Sequence, residues 1–359
     1  MNTNINNRIY NIIPYKPGKP IEEVKREYGL KEAVKLASNE SPFGASKKVL
    51  SAITAAAMDI NRYPDGGCFY LKSRLADKLG VKSQNLVLTN GSDEALDLIA
   101  KVFLRPGKDK IITSSVTFLE YKITAQIFGI KVREVPLVDF KYDLKGMKNA
   151  ITKNTKAVFI ANPNNPTGTY VTKKEFDSFL RAIPRDIIVV YDEAYQEFVD
   201  AGDFPKGVDY YRRKNFITLK TFSKIYGLAG LRVGYALTNS EFAAALERVR
   251  QPFNVNSIAQ AAAMAALDDV KYIKDTKQAV TSGRKFLCRQ LEKMGINYIP
   301  SVANFMLVDV KKDVFKAMLK QGVIIRPMDM YGLRGIIRVT IGTQSENKKF
   351  IDALKRALK

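Results

Sequence analysis

The residues best placed to do chemistry surround Lys224. Lys220-Thr221-Phe222-Ser223-Lys224 runs into Ile225-Tyr226-Gly227-Leu228-Ala229-Gly230-Leu231-Arg232. A primary amine can form an imine with a carbonyl compound, while the serine hydroxyl and the arginine can hold a phosphate. One lysine among so many carries no information; the grouping of amine, hydroxyl and guanidinium does. Asp192, in Tyr191-Asp192-Glu193-Ala194-Tyr195, follows an apolar run directly. A carboxylate there is costly to bury unless it is paired, and a protonated heterocyclic nitrogen would pair it. The alternative is a surface acid at a strand end.

Two further segments admit a chemical and a plain reading. Asn162-Pro163-Asn164-Asn165-Pro166-Thr167-Gly168 is ordinary turn chemistry, yet a rigid loop also presents an amide side chain at a fixed point. Asn90-Gly91-Ser92-Asp93-Glu94 opens a helix. Ser or Asp there is normal capping, and the free N–H groups of a helix start equally suit a phosphate.

The elements that must carry these groups are legible as short apolar runs alternating with helical patterns. Leu86–Leu88, Lys110–Ile112, Ala157–Ile160, Ile187–Val190 and Phe216–Leu219 suit strands buried on both faces of a parallel sheet. Helices are expected between them, for example over Asp93–Phe103 and Lys173–Ala182, so the fold class is α/β. Such sheets present ligands at the carboxyl ends of their strands, where the segments above fall. Past residue 250 the texture changes. Alanine-rich Ser257–Leu267, helical Gln278–Met294, Phe305–Val310 and Ile336–Ile341 suggest a smaller α+β domain. The expected division is an N-terminal arm over 1–35, a large domain over 36–250 and a small domain over 251–359.

Composition narrows the chemistry. The 359 residues are 46% apolar and 26% charged, which is globular, and the length suggests two domains. Histidine is absent, so no imidazole acts as base, nucleophile or metal ligand, and no metal site is expected. Cys68 and Cys288 have neither metal nor redox spacing and read as free thiols of a reducing cytosol. No apolar stretch of about 18 residues or more is present, so no membrane span is expected. The polar opening residues lack an apolar segment with a small-residue cleavage site, so a secretory signal is not expected. Lys plus Arg number 58 against 36 Asp plus Glu, a net charge of +22. These charges are spread along the chain without a basic arm, so a solvated lysine-rich surface is preferred over specific nucleic-acid binding. The field also favours anionic small molecules.

Blocks that recur in one order along the chain resemble a known family. Leu36-Ala37-Ser38-Asn39-Glu40-Ser41-Pro42-Phe43-Gly44, Arg62-Tyr63-Pro64-Asp65-Gly66, the Asn162–Gly168 loop, Asp192-Glu193-Ala194-Tyr195 and the Lys224 segment resemble the aspartate-aminotransferase superfamily. This is the pyridoxal-phosphate-dependent fold type I, with a mostly parallel seven-stranded sheet flanked by helices and a smaller α+β domain. Tyr15 in its Ile13–Gly18 segment, Ile324-Ile325-Arg326-Pro327-Met328 and Ile337-Arg338-Val339-Thr340-Ile341-Gly342-Thr343 are similar to the branch acting on histidinol phosphate. The resemblance spans about residues 8 to 348.

The resemblance implies that Lys224 carries pyridoxal 5′-phosphate as a Schiff base and shuttles a proton. Asp192 would pair with the ring nitrogen, and Tyr195 and Asn165 would hydrogen-bond the phenolic oxygen. Ser92, Asp93, Ser223 and Arg232 would surround the cofactor phosphate, joined by Tyr63 from a second subunit of a homodimer. Phe118, in Val116-Thr117-Phe118-Leu119-Glu120-Tyr121, falls where relatives stack an aromatic on the ring, although Val116 replaces their usual proline. Arg326 and Arg338 would grip substrate phosphate or carboxylate, with Tyr15 and Asn39 completing the cradle. The implied reaction is ping-pong transfer between histidinol phosphate and 2-oxoglutarate in histidine biosynthesis, in the cytoplasm. An aromatic amino-acid aminotransferase or a threonine-phosphate decarboxylase of the same branch are the rival readings; a non-enzymatic nucleic-acid-binding protein is a remote one.

Overall fold

The computed structural model describes residues 6–15 and 17–359; residues 1–5 of the expected N-terminal arm, and Lys16, lie outside the described residues. The chain enters through α1 (Ile21–Tyr28) and β1 (Val34–Lys35) and continues through α2 (Lys47–Ala56) and α3 (Phe69–Leu79). A seven-stranded sheet follows, made of β2 (Leu86–Thr89), β3 (Lys110–Ser114), β4 (Lys131–Val135), β5 (Thr155–Ala161), β6 (Ile188–Asp192), β7 (Phe216–Thr221) and β8 (Gly234–Thr238). Their order is β2-β8-β7-β6-β5-β3-β4. Only β8 is reversed, pairing antiparallel with both β2 and β7. The sheet is thus mostly parallel, as expected from its near-continuous apolar strands.

Helices cover both faces, and the strands show why. Side chains alternate along a strand, so Val87 joins a core with α4 (Gly91–Phe103), α5 (Glu120–Ile127), α7 (Lys173–Ala182) and α8 (Ser240–Val249). Its neighbours Leu86 and Leu88 join a second core with Leu71, Leu75 and α9 (Ser257–Leu267). A short α6 (Leu144–Asn149) precedes α7. In α7 the buried Phe176, Phe179 and Leu180 recur at the spacing of one helical face, and Thr172 and Glu175 form a capping box that contributes about 1 kcal/mol. Ser257–Leu267, expected within the small domain, packs its Ala259, Ala262, Ala263 and Ala266 on the second of these cores.

The remaining chain forms α10 (Val270–Lys293), β9 (Asn297–Ile299), β10 (Phe305–Asp309), α11 (Phe315–Lys320), β11 (Val323–Ile324), β12 (Arg326–Pro327), β13 (Ile336–Thr340) and α12 (Gln344–Leu358). Four strands make an antiparallel sheet in the order β12-β13-β10-β9. β1 pairs in parallel with β11. Leu36 extends the join by donating its N–H to Ile324 and accepting from Thr340, each at 2.8 Å. This stitching delivers Asn39, at φ 55°, to the cavity between the two sheets.

Candidate active site

The carboxyl ends of the parallel strands converge, as an open α/β sheet requires. Asn165 follows β5, Asp192 ends β6 with Tyr195 just beyond it, and Ser223 and Lys224 follow β7. A cavity of about 220 Å³ is lined by Tyr15, Asn39, Ser92, Asp93, Phe118, Asn165, Asp192, Tyr195, Ser223, Lys224, Arg232 and Arg338. Two expected residues are not in that lining. The Arg326 guanidinium sits one layer back, 5.1 Å over the Tyr15 ring. Tyr63 is 82% exposed and stacks on Phe253 at 4.7 Å.

At one end of the cavity, α4 starts without a side-chain cap on its N–H groups. Gly91 stands at φ +73°, and a Cβ on it would lie 2.5 Å from Arg232 Nη2. A Cβ on Gly234 would lie 2.8 Å from the Ser92 nitrogen. Glycine at both positions lets the guanidinium and β8 lie against the helix start. Arg232 donates to Ser223 Oγ at 3.3 Å and to Asp93 Oδ2 at 3.1 Å. Arginine, serine hydroxyl and uncapped helix N–H groups form a cradle for an anion such as phosphate.

Lys224 reaches from the end of β7 into the middle of the cavity. Its Nζ lies 3.4 Å from the Ser38 carbonyl and 5.4 Å from the centre of the Tyr195 ring. Asp192 is buried; its Oδ2 accepts from the Tyr121 hydroxyl at 2.7 Å and its Oδ1 from the Ala194 N–H at 3.0 Å. Burial pushes this carboxyl above the usual carboxylate range, while those two hydrogen bonds pull the other way. Tyr195 accepts from Asn39 Nδ2 at 3.0 Å. Asn39 is held in turn by Thr340 Oγ1 at 2.9 Å and Asn304 Nδ2 at 3.0 Å.

The asparagines of the β5 loop divide their work. Asn162 bonds Val171 and the Tyr191 hydroxyl, and Asn164 bonds Thr117 and the Val116 carbonyl, so both brace the loop. Val116, the departure from the family pattern, thus anchors the loop through its carbonyl, and Phe118 still faces the cavity. Asn165 accepts from Arg338 Nη1 at 2.5 Å. Arg338, itself buried, also donates to the Ala37 carbonyl at 2.7 Å, and its Nε has no partner among the described residues. Burial lowers its proton affinity, but a guanidinium remains charged.

Sequence reasoning missed Tyr121 and Tyr331. Tyr121 lies three residues after Phe118, in the turn that opens α5, where its N–H bonds the Phe118 carbonyl at 3.4 Å. Tyr331 lies among Arg338, Tyr15 and Arg326, where desolvation pushes its phenol up to about 12. No sequence periodicity marks it. Among the described residues no cluster of His, Cys, Asp or Glu could hold a metal ion, and no helix is long and apolar enough to cross a membrane.

Comparison with known proteins decides the family. The pattern described as aminotransferase class I and II matches residues 31–354. The chain belongs to this family. Among curated relatives of this aminotransferase, the histidinol-phosphate aminotransferase of Moorella thermoacetica is 48% identical, over 98% of this chain and 92% of that protein. The histidinol-phosphate aminotransferase of Caldicellulosiruptor saccharolyticus is 46% identical, over 98% and 99%. The crystal structure of histidinol-phosphate aminotransferase from Sinorhizobium meliloti in complex with pyridoxal 5′-phosphate superposes with a TM-score of 0.91. It is 30% identical and covers 99% of this chain and 98% of that one.

Proposed function

We propose that this aminotransferase transfers the amino group between L-histidinol phosphate and 2-oxoglutarate, using pyridoxal 5′-phosphate. The observation that carries the reading is the pairing of an anion cradle at one end of the cavity with the buried Arg338 at the other, Arg326 standing one layer back behind Tyr15. Arg338 is 6% and Arg326 8% exposed, and two guanidiniums suit a doubly charged phosphate as well as the carboxylates of glutamate. The curated relatives support the same substrate.

The cofactor supplies a carbonyl carbon that takes and returns the amino group, and a ring that delocalises the electrons left at the substrate carbon. The uncapped start of α4, with Ser92, Asp93, Ser223 and Arg232, binds its phosphate. Lys224 would hold it through its amine, and that same amine would carry the proton at the substrate Cα. Asp192 holds the proton on the ring nitrogen. Tyr195 and Asn165 would hydrogen-bond the phenolic oxygen, and Phe118 would offer its ring as a packing face. Tyr15, Asn39, Arg326 and Arg338 orient the substrate.

The reading extends to a homodimer in the cytoplasm. Met58, Ile60, Tyr63, Phe69 and Tyr70 are between 65% and 82% exposed, an apolar surface that a second copy would cover while bringing its Tyr63 to the cofactor phosphate. Sedimentation of the intact protein at twice the 40.3 kDa chain mass is the expected result, and a monomer would rule it out. The substrate is tested with glutamate as amino donor and a panel of keto acceptors. Imidazole-acetol phosphate should be preferred over phenylpyruvate in kcat/KM by at least about tenfold; the reverse preference would assign an aromatic substrate instead.

A further inference from the structure

We propose that Tyr121 is a positioning residue for the cofactor: its hydroxyl fixes the Asp192 carboxylate for contact with the ring nitrogen of pyridoxal phosphate. The inference rests on the reading of Asp192 given above.

Tyr121 stands at the start of α5 and is 1% exposed. Its ring packs edge-on against Phe118 at 5.6 Å and tilted against Phe159 at 5.4 Å. Rings on two sides hold the phenol, so its oxygen is set by packing and not by its own search for a partner. That oxygen is 2.7 Å from Asp192 Oδ2, well within the range of a good O–H···O hydrogen bond.

The geometry leaves Asp192 competent and restrained. Each carboxylate oxygen can accept more than one hydrogen bond. Tyr121 takes one position on Oδ2 and the Ala194 N–H one on Oδ1, so room remains for an N–H from a ring in the cavity. Without the phenol, one backbone N–H would be the only donor left on this buried carboxylate among the described residues, and the carboxylate would then rotate or take up a proton. Burial and the neighbouring Asp192 push the Tyr121 phenol well above its ordinary range, so the donor keeps its proton across physiological pH. The same turn carries Phe118 into the cavity. One short segment therefore sets both an aromatic face and the carboxylate, and it does so in a chain that has no histidine.

Tyr121→Phe removes the oxygen and keeps the ring. Two quantities are read on the intact protein: the cofactor dissociation constant by equilibrium dialysis, and the circular dichroism band of bound cofactor in the visible. Tyr121→Phe should weaken cofactor binding by about tenfold or more and change the band. In an Asp192→Ala background the same substitution should change binding by less than about twofold, because the group it acts through is gone. Unchanged affinity and band in Tyr121→Phe, with a clear loss in Asp192→Ala, would overturn the role of Tyr121 and leave that of Asp192 standing. An equal loss in both backgrounds would make Tyr121 a packing residue and also overturn it. Unaltered binding in Asp192→Ala alone would remove the reading of Asp192, and the proposal with it.

Discussion

Two lysines four residues apart at the end of β7 meet opposite surroundings. Lys220 has a side chain 9% exposed, with Nζ 2.7 Å from Gln196 Oε1, 2.7 Å from Glu197 Oε1 and 3.7 Å from Glu193 Oε2. Burial opposes its charge, but Glu197 and Glu193 outweigh burial and hold the ammonium above its ordinary range. An amine so bound keeps its proton and cannot attack a carbonyl. Lys224 stands in the cavity, touching the Ser38 carbonyl and the Tyr195 ring, and no carboxylate lies within ion-pair reach of it among the described residues. The adjacent acids divide in the same way: Asp192 lines the cavity, while Glu193 turns into the core toward Lys220 and the Gly207 N–H, 2.7 Å away. Residue type does not separate chemistry from scaffold here; the partner of each charge does.

Exchanging the roles of the two lysines should therefore fail in two different ways. Lys224→Ala should lower turnover by about 10⁴-fold or more, since both the amine that holds the cofactor and the proton carrier are lost. Its stability to urea should stay within about 1 kcal/mol, because no ion pair is broken. Steady-state assays together with urea unfolding measure both. Turnover within tenfold of the unaltered protein would erase the distinction between the lysines.

Lys220→Met is the complementary break. It leaves the buried Glu193 and the partly buried Glu197 without their cation, and removing one partner of a buried pair costs about 3–5 kcal/mol. The loss should show in urea unfolding and exceed that of Lys224→Met, the same change of shape at a site without a carboxylate partner. Equal losses would mean that the carboxylates around Lys220 relax into solvent, and that the Lys220 cluster is less rigid than its distances indicate.

How much of this was legible beforehand follows from the same physics. β2, β5, β6 and β7 are buried almost end to end because both faces are covered, and the short apolar run in each sufficed to find it. β4 escaped because Lys131, Arg133 and Glu134 sit on an edge strand, and β8 because Gly234 opens it. The cavity residues were readable where a polar motif directly follows such a run. The Tyr121 contact with Asp192 joins positions 71 residues apart, and the carboxylates around Lys220 lie 23 and 27 positions before it; only the sheet order brings them together. α9 shows the limit of composition, since an alanine-rich helix without a polar face gives no sign of which core will bury it.

The finest test of the comparison is the pH response of Glu193. Burial, partly offset by Lys220 and by the Gly207 N–H, pushes its carboxyl from an ordinary 4.5 up to about 7. Between these values the folded chain keeps a proton that the unfolded chain has released. The slope of stability against pH follows the protons bound in the unfolded state minus those bound in the folded state, so this group's contribution is present below about pH 4.5 and is lost as pH rises through about 7. The interval from 4.5 to about 7, at about 1.4 kcal/mol per pH unit, sets a ceiling of roughly 3 kcal/mol. Glu193→Gln has no proton to lose, so its stability relative to the unaltered protein should climb by about 1–3 kcal/mol between pH 4.5 and 7. Urea unfolding of both proteins across that range measures the difference directly. A constant difference would mean that Lys220 holds Glu193 fully ionised throughout, making the buried pair a closed ion pair whose charges never change.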